Sequence, residues 1–182
     1  QIKRALKDGG KIIYVTSTPD YKLYKRVLKG EISLVAVPLR NHGRLCPEPR
    51  IMTYKSLSYH NLFIPSEVVE YIGWSAAIGV KVHIIVPYTE LIAQFRELLL
   101  NCDHIENKWL QGEKQLIQVT ALLYGHINIQ EEENIIVFFA DEARIMDEKT
   151  LIGLAGMSGR FNNNNSGEVL FIGAEESVEM YN

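Results

Sequence analysis

A chain of 182 residues, 47% hydrophobic and 23% charged, is long enough to bury a real core as one domain, or as one domain with an appendage. Its longest apolar stretch, around Ile72 to Val86, is broken by Lys81 and His83 and falls short of the roughly 20 residues a membrane span needs. The net charge of −3 hides an asymmetry, since residues 1–50 carry 11 Lys/Arg against 4 Asp/Glu and residues 51–182 carry 8 against 18; this permits contact with a polyanion through the first part only, while Lys22, Lys25, Arg26 and Lys29 taken alone read equally as a solvated helix face.

Gln1 leads directly into a helix-like "IKRALKDGG" with no initiator methionine, basic n-region or cleavage site, so the sequence reads as a piece of a longer chain. "KIIYVT" (11–16) is a β-branched run after a Gly-Gly break and predicts a buried strand. Thr18-Pro19-Asp20 opens a helix, "DYKLYKRVLKG", closed by Gly30, and "ISLVAV" (32–37) predicts a second strand. Residues 38–49 hold three prolines and no helical periodicity, which marks a linker. Cys46 within it reads as an inert small hydrophobe, and two cysteines in all give neither a disulfide framework nor a zinc quartet, as suits a reducing cytosol.

Beyond the linker the pattern alternates. "RIMTYK" predicts a strand, and "PSEVVEYIGWSAAIG" a helix with Ser66 as N-cap and Glu67 in its first turn. "VKVHIIVP" predicts a strand, and "YTELIAQFRELLL" a helix with Leu91, Phe95, Leu98 and Leu99 on one side. "HIENKWLQGEK" predicts a short helix, "QLIQVTALL" and "NIIVFFA" strands, "DEKTLIGLAGMSGR" a helix, and "EVLFIG" a last strand. Near-continuous apolar strands separated by amphipathic helices specify an α/β fold with a parallel sheet covered on both faces. Ligands in such sheets sit at the carboxyl ends of strands. That directs attention to the positions after Val86, Thr120 and Ala140, and to the helix ending near Arg160, which by itself reads as a cation opposing a helix macrodipole.

Four segments in fixed order carry a resemblance. "YVTSTP" (14–19) resembles the Thr-Ala-Thr-Pro signature that closes the first motor domain of superfamily 2 helicases. "VPLRNHGRLCPEP" (37–49) resembles the linker of ComFA-type late competence ATPases and, more loosely, of PriA helicases. "VHIIVPYTELIAQF" looks like the strand and helix that begin their second motor domain, and "DEKTLIGLAGMSGR" with "SGEVLFIG" looks like their Leu-x-Gln-x-x-Gly-Arg-x-Gly-Arg motif and the following strand.

The resemblance implies a second RecA-like domain at 50–182, a linker at 38–49, and the end of the first RecA-like domain at 1–37. In such motors the two domains close on ATP, and arginines of the second stabilise charge on the transferring phosphoryl group. Arg160 matches the last arginine of that motif. Thr16 and Thr18 would couple nucleotide and DNA sites, while Arg40, Arg44 and Thr120 would lie near the backbone of single-stranded DNA. ATP and magnesium would be bound mainly by the first domain, since these residues contain no phosphate loop; no zinc is expected. The implied partners are single-stranded DNA, the first domain and other competence proteins. The implied location is the cytoplasm, extending to peripheral association at the inner face of the membrane.

The sequence departs from that pattern at telling positions. Gly153 stands where the motif has glutamine and Met157 where it has its first arginine. Tyr124, Gly125 and His126 stand in place of a Glu-Arg-Gly triplet, and residues 100–115 are too few for the strand and full helix expected there. These departures favour an alternative, a degenerate helicase-like module that binds or scaffolds without acting as a motor. Other chemistry finds less support. The histidines lack metal-ligand spacing, His83 reads as a satisfied core or edge residue, and Ser158 is not in a nucleophile elbow. Trp74 and Trp109 read as core, "ADEA" (140–143) as a solvated acidic loop, and Glu131 to Glu133 as an acidic turn.

Overall fold

The computed structural model describes residues 10–16, 18–37, 43, 45–112, 115–122, 133–159 and 167–181. The chain divides into two compact units, Gln1–Ala36 and Val37–Asn182.

In the first unit, helix α1 (Tyr21–Leu28) begins at Asp20, whose carboxylate accepts the Leu23 amide at 2.7 Å, and ends before Gly30, where a φ of 72° turns the chain. Such a φ suits glycine because it has no Cβ. Arg26 pairs with Glu31 at 3.2 Å and lies over the Tyr14 ring. The two expected strands are not formed among the described residues: residues 11–16 and 33–37 carry no ladder there, and Ile13, Val15, Val35 and, at the start of the second unit, Val37 are exposed. A strand is stable only as part of a pair, and β-branched composition cannot supply the neighbour.

The second unit holds a five-stranded sheet of order β1-β5-β4-β2-β3, parallel at every pairing. Its strands are β1 (Arg50–Thr53), β2 (Lys81–Val86), β3 (Ile117–Ala121), β4 (Glu133–Phe138) and β5 (Val169–Gly173). Alternation along the strands divides the side chains between two cores. Val82, Ile84, Val86, Ile117, Ala121, Ile136, Phe138, Leu170 and Ile172 pack with α2 (Ser66–Ala77), α3 (Glu90–Leu100) and α4 (Asn107–Leu110). Ile85, Ile135, Val137, Val169 and Phe171 pack with α5 (Glu148–Ala155) and Met180 of a short 3-10 helix (Val178–Met180). The all-parallel sheet with helices on both faces bears out the α/β, RecA-like architecture.

Local details correct several expectations. Ser66 is the first helical residue of α2, its hydroxyl on Glu67, while Pro65 takes the cap position. Trp74 is 60% exposed, whereas Trp109 is buried. Trp74 lies with Glu70 and Ala77 on the exposed side of α2, away from the buried Val68, Val69 and Ile72, so the periodicity that buries one set exposes the other. Cys46 is exposed; residues 45–49 belong to no helix or strand that would carry it into a core. Between α3 and β3 the described chain makes only the four-residue α4, so the strand that the motor pattern would place there is absent from the described residues.

Candidate functional site

The candidate residues fall at two edges of the sheet. At the carboxyl edge the strand order reverses between β2 and β4, since β2 leads to β3 on one side while β4 and β5 build out on the other. That is where open α/β sheets form ligand crevices. Beyond β4, Phe139 adopts φ 58°, a left-handed backbone for a bulky residue. Its ring stacks on Tyr59 at 4.5 Å, and Tyr59 meets Tyr88 edge-on. The Tyr59 hydroxyl donates to Glu142 at 3.1 Å. Burial first, and then the Glu142 charge, pushes the phenol above its ordinary range, so it remains a donor at neutral pH. Asp141 accepts the Ala174 and Glu175 amides at 2.9 and 3.3 Å, tying this loop to the end of β5. The supposed solvated loop is thus a structural cap: those amides follow a strand end and need an acceptor.

Helix α5 starts on the carboxyl side of the sheet at Asp147, which accepts the Thr150 amide at 2.9 Å, and stops toward the amino edge at Ala155, with Gly156 at its C-cap. The helix therefore ends before Arg160, and a turn through Gly159 intervenes. Ser158 in that turn is fully buried; its hydroxyl points to the Glu133 carbonyl at 3.0 Å and the Glu168 carbonyl at 3.3 Å. Both carbonyls belong to the starts of strands, so the turn is pinned to the amino ends of β4 and β5, not to the carboxyl edge where the helix end had been grouped. An α-helix between parallel strands must run antiparallel to them, which reverses the edge. Met157 packs against the apolar cluster on the α5 side, so the place of the motif's first arginine faces inward.

Thr120 stands near the carboxyl end of β3, in register with Ile85 and half-buried. Its Oγ1 lies 2.9 Å from His83 Nε2, and His83 Nδ1 lies 3.1 Å from Glu133 Oε2. His83 is 2% and Glu133 6% exposed. Glu133 is therefore the first residue of β4 and a core carboxylate, not part of an exposed turn. The sequence could not reveal this pairing, because the partners are separated by fifty residues and only strand register brings them together. Thr16 and Thr18 form a local turn, with the Thr16 hydroxyl donating to the Thr18 carbonyl at 2.9 Å and accepting the Thr18 amide at 3.1 Å. Arg40, Arg44 and Arg160, and the Tyr124-Gly125-His126 departure, lie outside the described residues.

Among the described residues, no group of three or more His, Cys, Asp or Glu side chains is arranged to hold a metal ion, and no helix is long and apolar enough to cross a membrane. No protein-family model matches the chain. Over 187 residues it is 24% identical to the competence protein ComFA of Bacillus subtilis (strain 168), a match covering 93% of this chain and 40% of that protein. The chain spans about 40% of its relative's length, and across nearly all of its own length it stands in a distant, ComFA-like relationship.

Proposed function

We propose that the chain is the C-terminal RecA-like domain, with the end of the preceding domain, of an ATP-dependent DNA translocase that drives single-stranded DNA uptake in competence. The observation that carries this reading is the division of the motif ends between two edges of one parallel sheet. Thr120 stands toward the carboxyl edge, and the turn at 156–159 is fixed at the amino edge by Ser158. A motor needs its polymer-facing and nucleotide-facing groups on one rigid body, and this arrangement supports that reading. The ComFA likeness supports the same reading. So do the exposed apolar runs around Ile13 and Val35, which suit strands of a domain completed by other residues.

In this reading ATP and magnesium sit mainly on the preceding domain, and Arg160 is the cation reaching them from this one. With Met157 turned into the apolar cluster, the domain offers one arginine where the motif offers two. Arg40 and Arg44 of the linker, with Thr120, track the DNA backbone, while Thr16 and Thr18 couple the two sites. The cytoplasm, or its membrane face, is the corresponding location, and other competence proteins are the corresponding partners.

The test is DNA-stimulated ATPase of the complete protein. Arg160→Ala is expected to lower it by about a thousandfold, the low end for arginine fingers; unchanged turnover refutes the assignment. The inward Met157 favours a second reading, a helicase-like binding module without motor activity. That reading predicts no DNA-stimulated turnover in the wild-type complete protein, together with retained, salt-sensitive binding of single-stranded DNA.

A further inference from the structure

Glu133, His83 and Thr120 come from β4, β2 and β3, three adjacent strands, and form a continuous carboxylate–imidazole–hydroxyl chain. Among the described residues, Lys81 lies two positions earlier on the same face of β2, in register with Glu133. Gln118 on β3 is in register with His83, and α5 contributes the apolar Leu151, Leu154 and Ala155 to this side of the sheet.

The chain has a definite polarity. If Glu133 is ionised it only accepts, and the Nδ1 facing it then carries a hydrogen. A neutral imidazole then has a bare Nε2, and Thr120 must give its only hydrogen to it. In that state the Thr120 hydroxyl presents lone pairs outward, and a phosphate oxygen, itself an acceptor, finds no donor. A proton from solvent added at Nε2 reverses the bond. Nε2–H now donates to Thr120 Oγ1, the hydroxyl hydrogen is released to donate to the phosphate, and the new imidazolium is compensated by Glu133. The heavy atoms need not move.

We propose that Glu133 and His83 are positioning residues that set the hydrogen-bond polarity of Thr120, so that a backbone phosphate of single-stranded DNA binds there together with one proton taken up by His83. This rests on the reading of Thr120 as a DNA-facing hydroxyl. Imidazole is the side chain suited to such uptake near neutral pH.

The experiment is calorimetric titration of the 182-residue chain with oligo-dT at low salt, in buffers of different ionisation enthalpy and across neutral pH. The expected result is uptake of about one proton on binding, with affinity falling by up to about tenfold per pH unit where free His83 is neutral. His83→Gln is expected to bind with that uptake abolished, and Thr120→Val to lose the same proton along with affinity. Imidazole ¹⁵N NMR of the wild-type chain supplies a readout independent of whether the variants fold. It should show His83 as the Nδ1–H tautomer when free and doubly protonated when bound. Binding without proton uptake, uptake that survives His83→Gln, or an unchanged His83 ring overturns this inference while leaving the DNA reading intact. Absence of any oligo-dT binding overturns both.

Discussion

Gly167→Ala tests how firmly the turn before Arg160 is held. An added Cβ would collide with Ser158 Oγ and would lie 2.6 Å from the Gly159 nitrogen and 2.9 Å from the Glu133 carbonyl oxygen. Two of these three are backbone atoms, which cannot swing aside as a flexible side chain can. Overpacking of this kind costs about 1–3 kcal/mol. Displacing the buried Ser158 hydroxyl from its carbonyls adds about 1–3 kcal/mol, giving roughly 2–5 kcal/mol in all once overlap between the two effects is allowed for. Urea unfolding followed through the emission of buried Trp109, with the exposed Trp74 changed to Phe, reads the effect. At a slope of about 2 kcal/mol per molar urea, the midpoint should fall by roughly 1–2.5 M. Ser158→Ala alone should cost only about 1 kcal/mol, and the double variant less than the sum, because removal of the hydroxyl also removes one of the collisions. A Gly167→Ala midpoint within about 0.2 M of wild type would show that the turn is not packed against the strand ends.

Other substitutions probe separate links. Gly153 lies within α5, outside the left-handed region, and an added Cβ there meets nothing, so Gly153→Ala should stabilise by about 0.5–1 kcal/mol in the same unfolding assay. Asp147→Ala should cost about 1 kcal/mol at neutral pH. Accepting from Thr150 holds the Asp147 carboxyl below its ordinary value, so its contribution is present above the unfolded-state value and fades as pH falls through the folded one; the wild-type advantage over Asp147→Ala should therefore shrink in acid. Phe139→Gly would relieve a left-handed backbone worth about 1–2 kcal/mol but forfeit a buried ring worth about 3–5 kcal/mol. A net loss of about 1–4 kcal/mol in calorimetric or urea unfolding is expected, and a net gain would mean that the strain outweighs the stack on Tyr59.

The sheet was legible because strands buried on both faces must be apolar almost throughout, and "VKVHIIVP", "NIIVFFA" and "EVLFIG" carry that mark. The same signal failed in "KIIYVT" and "ISLVAV". There the composition records a need for neighbours, and the described residues supply none. Trp74 was misplaced by counting it as helical and apolar without asking which side of α2 it occupied. The candidate site was least legible where it depends on distant pairing. His83 looked like a satisfied core residue, which it is, but the partners that satisfy it follow from the register of β2 against β3 and β4. Asp141 gave no sign that two amides beyond β5 would need its carboxylate. The change of edge at the end of α5 follows from topology alone, since a helix joining parallel strands returns the chain to the end from which it set out.

The buried Glu133–His83–Thr120 chain also bears on how the sheet assembles. Among the described residues, β3 stands at the end of the strand order and pairs with β2 alone, and nonpolar contacts tolerate sliding better than hydrogen bonds do. A slip of β3 by one residue would turn Val119 or Ala121 toward His83; a slip by two would offer Leu122 or Gln118. The apolar choices strand the imidazole beside a buried carboxylate, an arrangement costly enough to reject the misaligned strand, and Gln118 would have to reproduce a hydroxyl's reach with a longer amide. The three residues thus act as an alignment key, admitting the edge strand at one register and making that register part of what the sequence encodes.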